Sequence, residues 1–309
     1  MNNEAMPEIS VVMCVYNGER FLKDAIDSIL AQTFSNFEFI IWDDGSTDGS
    51  KSIIESYTDD RIRYFYHENT GLGMALNMAC SEARGRYIAR MDDDDVSLPN
   101  RLQTEYEFLE SHPDYVLVST PAYYIDEKGK QIGQTFLYTK DYLIKNKLLV
   151  SSCLDHPSVM FRTEAYRKTQ GYPNARRAQD RLFWSKLARH GKLVNFVFPL
   201  INYRMITDSL SHKRDENSIY YRLMMMLGTK IVMDDSFHED DLCLYNELYA
   251  HIPSLKEGNS GGYKPQIEER LHGVVAKIFG DRMSRRIVVA IKNMYGYYEI
   301  YRIRKDLKI

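Results

Sequence analysis

The sequence predicts an α/β fold, a mostly parallel sheet flanked by helices, followed by a helical C-terminal portion. Three observations predict it. Up to Ser111 short β-rich runs alternate with amphipathic stretches, the pattern of strands joined by helices. Polar and acidic residues gather where those runs end. After about Asp215 the chain reads as helix, broken once where Gly, Asn, Ser and Pro cluster at 256–264. The expected division is therefore 1–214 for an α/β domain and 215–309 for a helical region.

Residues 9–15 read as the first strand. Phe21, Leu22, Ala25, Ile26, Ile29 and Leu30 then recur at helical spacing and supply one apolar face. A second strand at 37–42 runs into the turn-rich Asp43-Asp44-Gly45-Ser46-Thr47-Asp48, and 50–57 reads as helix. The third strand is 62–66, followed by a helical stretch at 71–83 and a fourth strand at 86–90. Pro99 suits the first turn of a helix running to Ser111. Short strands follow at 115–119, 122–126 and 158–161, and a helix at 179–190 places Phe183, Trp184 and Leu187 on its buried side.

With 309 residues, 44% of them hydrophobic and 27% charged, the chain can bury one large core with room for a smaller unit. Its formal charge of -3 gives no global basic field, which argues against nucleic acid as a partner. Four cysteines, Cys14, Cys80, Cys153 and Cys243, lie far apart with no Cys-x-x-Cys pair, so they read as buried thiols. The polar N-terminus lacks a signal-peptide core, and no apolar run reaches the roughly 18 residues of a spanning helix. A cytoplasmic protein is expected.

Met91 is followed by four consecutive aspartates, Asp92, Asp93, Asp94 and Asp95. Like charges this close raise one another's pKa unless a cation neutralises them. Oxygen ligands suit Mg²⁺ or Mn²⁺, ions that bridge to substrate phosphates. The alternative is a solvated acidic turn ahead of Pro99. Ligands of open α/β sheets collect at the carboxyl ends of strands, and Cys14, Asp43 and Asp92 all fall there.

Four motifs in order carry a family resemblance: Ser10-Val11-Val12-Met13-Cys14-Val15-Tyr16-Asn17, Ile29-Leu30-Ala31-Gln32-Thr33-Phe34, Trp42-Asp43-Asp44-Gly45-Ser46-Thr47-Asp48 and Ala89-Arg90-Met91-Asp92-Asp93-Asp94-Asp95. Over about 8–211 the chain resembles the inverting glycosyltransferase family 2, of GT-A fold. The resemblance implies transfer of a hexose-type sugar from a nucleotide diphosphate donor to a saccharide or lipid-linked acceptor. Asp92 and Asp93 would lie beside the ribose and diphosphate, Asp94 would ligate Mn²⁺ or Mg²⁺, and Asp95 would support them. Asp43 would accept a hydrogen bond from the base, which fits the N3–H of uracil and hence a UDP-sugar. Cys14, Tyr16 and Glu19 would line the rest of that pocket, with Cys14 standing where the family usually has Pro or Thr. Asn69, Gly71 and Gly73 resemble a family helix start below the donor; no Lys-Ser/Thr pair follows, so a structural role is expected.

An inverting transfer needs one carboxylate to take the acceptor's proton. The segment Gln179-Asp180-Arg181 resembles the family's Glu-Asp motif with Gln179 in place of Glu, which makes Asp180 the candidate base. A helix-capping role, or pairing with Arg177 or Arg181, is the alternative. His156 either contacts substrate or satisfies a buried turn. The family's closing histidine position holds Ile206, so His212 is the substitute candidate for the metal; otherwise diphosphate and water complete the shell. From Asp281 onward the chain is basic and interleaved with tyrosines, suited either to an anionic membrane surface or to packing on the catalytic domain or a partner subunit.

No membrane spans or Gln-x-x-Arg-Trp motif are visible, so a single-addition enzyme of surface polysaccharide or lipopolysaccharide assembly is the expectation. Two rivals remain. A sugar nucleotidyltransferase would need a Gly-rich basic loop that 12–18 lacks, and a silent nucleotide-sugar-binding protein would lack the base.

Overall fold

The computed structural model describes residues 6–148, 152–173 and 178–206. The expected boundary at 214, the helical region 215–309 and His212 lie outside the described residues.

A seven-stranded sheet forms the centre, in the order β10-β6-β9-β4-β1-β2-β3. Its strands are β1 (Ile9–Val15), β2 (Phe37–Asp43), β3 (Ile62–Tyr66), β4 (Tyr87–Met91), β6 (Tyr115–Ser119), β9 (Met160–Arg162) and β10 (Lys192–Asn195). β9 alone runs antiparallel, between β4 and β6. The helices are α1 (Leu22–Leu30), α2 (Ser50–Glu55), α3 (Leu72–Ser81), α4 (Arg101–Ser111), α5 (Asp141–Leu148), α6 (Thr163–Thr169) and α7 (Gln179–Leu187).

Both faces of the sheet are covered, which is why β1 and β2 are buried along their whole length. The pleat divides β1 between two cores. Val12 and Cys14 pack with Ala75, Leu76 and Ala79 of α3 and with Phe183 and Trp184 of α7. Ile9, Val11, Met13 and Val15 pack with Leu22, Ala25, Ile26 and Ile29 of α1, the apolar stripe expected from the sequence. Each Val, Leu, Ile, Met or Phe among them contributes about 1.5–3 kcal/mol relative to exposure.

A second sheet has the order β5-β11-β7-β8, built from β5 (Val96–Ser97), β7 (Ala122–Ile125), β8 (Gln131–Gln134) and β11 (Ile201–Arg204). Its consequence is local. β5 leaves the acidic loop and pairs antiparallel with β11, Ile201 opposite Ser97, so the end of β11 lies beside the aspartates. The strand expected at 158–161 begins later, because Pro157 sits in a 3-10 turn at His156–Ser158 and β9 starts at Met160. No helix among the described residues is long and apolar enough to cross a membrane.

Candidate active site

The carboxyl ends of β1, β2 and β4 carry three loops that lock together. Asn17, with φ of 55°, donates its backbone N–H to Ser46 Oγ at 3.0 Å and accepts from Thr47 N–H at 2.8 Å through Oδ1. Glu19 Oε2 accepts the Gly49 N–H at 2.7 Å. Asp48 holds the start of α2 by accepting the Ser50 N–H at 3.0 Å, while its other oxygen accepts the Glu19 N–H. Glu19 is therefore engaged in joining two loops, whereas Tyr16 is 55% exposed.

Asp43 ends β2 with no exposed surface. Its Oδ1 accepts the Ser46 N–H at 2.8 Å and its Oδ2 the Tyr64 hydroxyl at 3.0 Å. Cys14 lies beneath, across from Trp42, and burial pushes its thiol pKa up so that it stays protonated. Asp44 faces the other way. It accepts from the Thr70 N–H and hydroxyl and from the Gly71 N–H, all at 2.9 Å, and so holds the start of α3. Asn69 adds a bond from Nδ2 to the Asp44 carbonyl at 3.0 Å, and Gly71 takes φ of 86°.

Of the four aspartates, Asp92, Asp94 and Asp95 bring one carboxylate oxygen each within 4.8 Å of one another. Asp93 turns away. It reaches the backbone of Gly18, where an added Cβ would lie 2.3 Å from its Oδ2, so a larger residue there would push the Asp93 carboxylate aside. Burial, then Asp94 and Asp92, push Asp93 up to about 8; burial and Asp92 push Asp94 up to about 7. Asp95 is raised well above the ordinary range by burial and Asp94; the Arg204 N–H bonds its Oδ1 at 2.8 Å, and its buried Oδ2 has no partner.

Two arginines oppose this charge. Arg90, 1% exposed at the end of β4, pairs with Asp92 at 2.5 Å. Arg204, at the end of β11, donates from Nε to the Asp94 carbonyl at 2.9 Å, pairs with Asp24 at 3.1 Å and stacks over Phe21 at 4.3 Å. Four carboxylates thus face two guanidinium groups. The all-oxygen cluster and the orphaned Asp95 Oδ2 fit a hard divalent cation.

Asp180 lies in the first turn of α7, after Ala178 at φ of 57°. The Tyr172 hydroxyl lies 3.3 Å from His156 Nε2, and burial and then Arg90 drive the His156 pKa far down, which keeps its imidazole neutral. Asn77 of α3 clamps the Tyr172 backbone, Nδ2 to the carbonyl and Oδ1 to the N–H, both at 2.7 Å. Gly73 of the same helix lies against the Pro173 carbonyl and Gln179. α3 therefore touches the Asp43-Asp44 turn at its start and the Asp180 segment along its side.

The model of the family described as "Glycosyl transferase family 2" matches residues 10–169. The chain belongs to glycosyl transferase family 2. Among family relatives, the putative glycosyltransferase EpsE of Bacillus subtilis (strain 168) is 37% identical over 192 residues, 60% of this chain and 68% of its own length. The O-antigen biosynthesis glycosyltransferase WbnJ of Escherichia coli is 32% identical over 212 residues, 66% of this chain and 82% of its own. This family 2 chain is accordingly a glycosyltransferase.

Solved structures agree on the GT-A fold. S. aureus TarS 1–349 in complex with UDP-GlcNAc superposes with TM-score 0.63 at 18% identity, covering 88% of this chain and 81% of that one. The mannosyltransferase PcManGT of Pyrobaculum calidifontis, in complex with GDP-Man and Mn²⁺, gives 0.56 at 18% identity, covering 95% and 88%.

Sequence reasoning missed Arg90, Arg204, Asp44 and Asn77. A signal existed for the first two: Arg90 is the one charge in β4, next to its last residue and just before the acidic run, and Arg204 ends the otherwise uncharged β11. Nothing in the one-dimensional pattern marks Asn77, whose partner lies 95 residues away.

Proposed function

We propose that this family 2 enzyme moves a hexose-type sugar from a UDP-sugar to an acceptor hydroxyl with inversion, in surface polysaccharide or lipopolysaccharide assembly. The observation that carries the reading is the meeting of Asp92, Asp94 and Asp95 at the sheet edge where Asp43 also ends its strand. A related O-antigen enzyme and two GT-A structures holding nucleotide sugars support it.

In this reading Asp92, Asp94 and Asp95 would hold Mn²⁺ or Mg²⁺, joined by His212 or by water. When bound, the cation supplies positive charge for the diphosphate that departs. Asp93 and Tyr16 border the donor, with Cys14 as the pocket floor and Glu19 fixing the loop. Asp43 exchanges the Tyr64 hydroxyl for the N3–H of uracil. Asp180 takes the proton of the acceptor hydroxyl as its oxygen bonds to the anomeric carbon, while the bond from that carbon to the diphosphate oxygen breaks on the opposite face. The acceptor is a saccharide or a lipid-linked one, and a cytoplasmic enzyme touching the membrane through its basic C-terminal segment accords with either.

Incubation with UDP- and GDP-sugars and Mn²⁺ tests the reading, because the two solved neighbours hold donors with different bases. Hydrolysis or transfer from a UDP-sugar is expected. Asp94→Ala removes Mn²⁺-dependent UDP binding, whereas Asp180→Asn keeps donor binding and lowers transfer at least about 100-fold. Full activity in either variant refutes its role, and donor binding without turnover on any acceptor leaves a binding protein instead.

A further inference from the structure

At the other end of β4, about 20 Å of strand away from the aspartates, a cavity of about 290 Å³ opens between β4, β9 and α6. Four of its lining residues are arginines, Arg84, Arg86, Arg162 and Arg167, against one carboxylate, Glu164. The chemistry assigned to the acidic loop uses none of them.

The four cations are not equivalent. Arg86 is already answered by Glu8 at 3.0 Å and Glu110 at 2.8 Å. Arg162 is fixed but not neutralised: its bonds go to the carbonyls of Tyr115, Leu109 and His112 and to the Tyr87 hydroxyl, all uncharged oxygens. Arg84 lies 4.0 Å from Glu38, a carboxylate that Arg63 holds more closely at 2.7 Å. Arg167 makes no hydrogen bond or ion pair with any described residue. The one lining carboxylate is drawn off to Lys168, at 2.6 Å.

We propose that this cleft binds a phosphate-class anion. Arg162 supplies a guanidinium already held in place, so little side-chain freedom is lost there on binding. Arg84 and Arg167 stand at the rim, where planar forks can each grip two oxygens of a phosphate. A lone carboxylate, with one charge, leaves part of this positive charge unanswered; a phosphate dianion or a pyrophosphate matches it. The source is either a free phosphate compound or the headgroup of an anionic lipid.

Full-length protein in metal-chelating buffer, where the aspartate site has no cation to draw phosphate, is titrated with pyrophosphate by calorimetry. In parallel it is co-sedimented with phosphatidylglycerol vesicles. Arg84→Ala/Arg167→Ala is expected to weaken binding of at least one probe about 10-fold or more, with an unchanged melting temperature and unchanged Mn²⁺-dependent UDP binding. Loss confined to pyrophosphate identifies a free phosphate compound, and loss of vesicle binding identifies a lipid headgroup. Arg167→Glu alone should reproduce the effect in sign. If neither probe binds the unaltered protein, or both variants bind as it does, the proposal is overturned. Because UDP binding is read separately, failure here leaves the transferase assignment standing, and failure of that assignment leaves this cleft to be judged alone.

Discussion

Asp44 and its neighbour Asp43 show how far identical side chains diverge in adjacent positions. Asp43 holds the turn it begins; Asp44, 3% exposed, holds the start of α3 through Thr70 and Gly71. Truncation in Asp44→Ala strands two backbone N–H groups and a hydroxyl, and an expected loss of about 2–4 kcal/mol follows from leaving partly buried donors unmade. Urea unfolding measures it, and a stability within about 0.5 kcal/mol of the parent would show that water replaces the carboxylate. The Asp-Asp-Gly motif was legible as a turn in the sequence, since glycine at φ of 84° answers a steric need visible in the residue type. Which aspartate faces which way was not, because successive strand residues point to opposite sides only once the strand's end is known. The same applies to the acidic run: four equal letters became a trio and an outlier through the approach of Gly18, a long-range contact.

Among the elements, β1, β2 and β4 were readable because burial on both faces leaves a largely apolar run, and the first helix because its single buried stripe imposes a helical period on the sequence. α5, α6, β5, β8, β10 and β11 were not, being short and marginal in pattern; pairing with distant strands decides them. α3 shows the functional side of this. It was legible as a helix, but its link to Tyr172 depends on one amide facing a segment far along the chain. Asn77→Ala removes both bonds to the Tyr172 backbone. If that clamp orients Asp180, kcat falls about 10-fold or more while KM for the donor stays within about twofold. A matched loss in both constants, or none, would mean the clamp serves the fold alone.

For the molecule as a whole, the proposed donor site draws on three loop regions and would tie ligand binding to global stability. UDP with Mn²⁺ at about 100 times its dissociation constant adds about 2.7 kcal/mol, which raises the melting temperature by roughly 4 °C for a chain of this size. UDP in chelator should leave it unmoved. An equal rise with and without Mn²⁺ would detach nucleotide binding from the aspartates.

Arg90, enclosed beneath Asp92, has a bearing on the life of the protein between rounds of work. Small zinc domains collapse when stripped of their ion, since that ion is their scaffold. Here a guanidinium built into the sheet already pairs with Asp92, so under the proposed metal-dependent reading the loop needs no ion as its scaffold, and the chain is expected to fold before it is loaded.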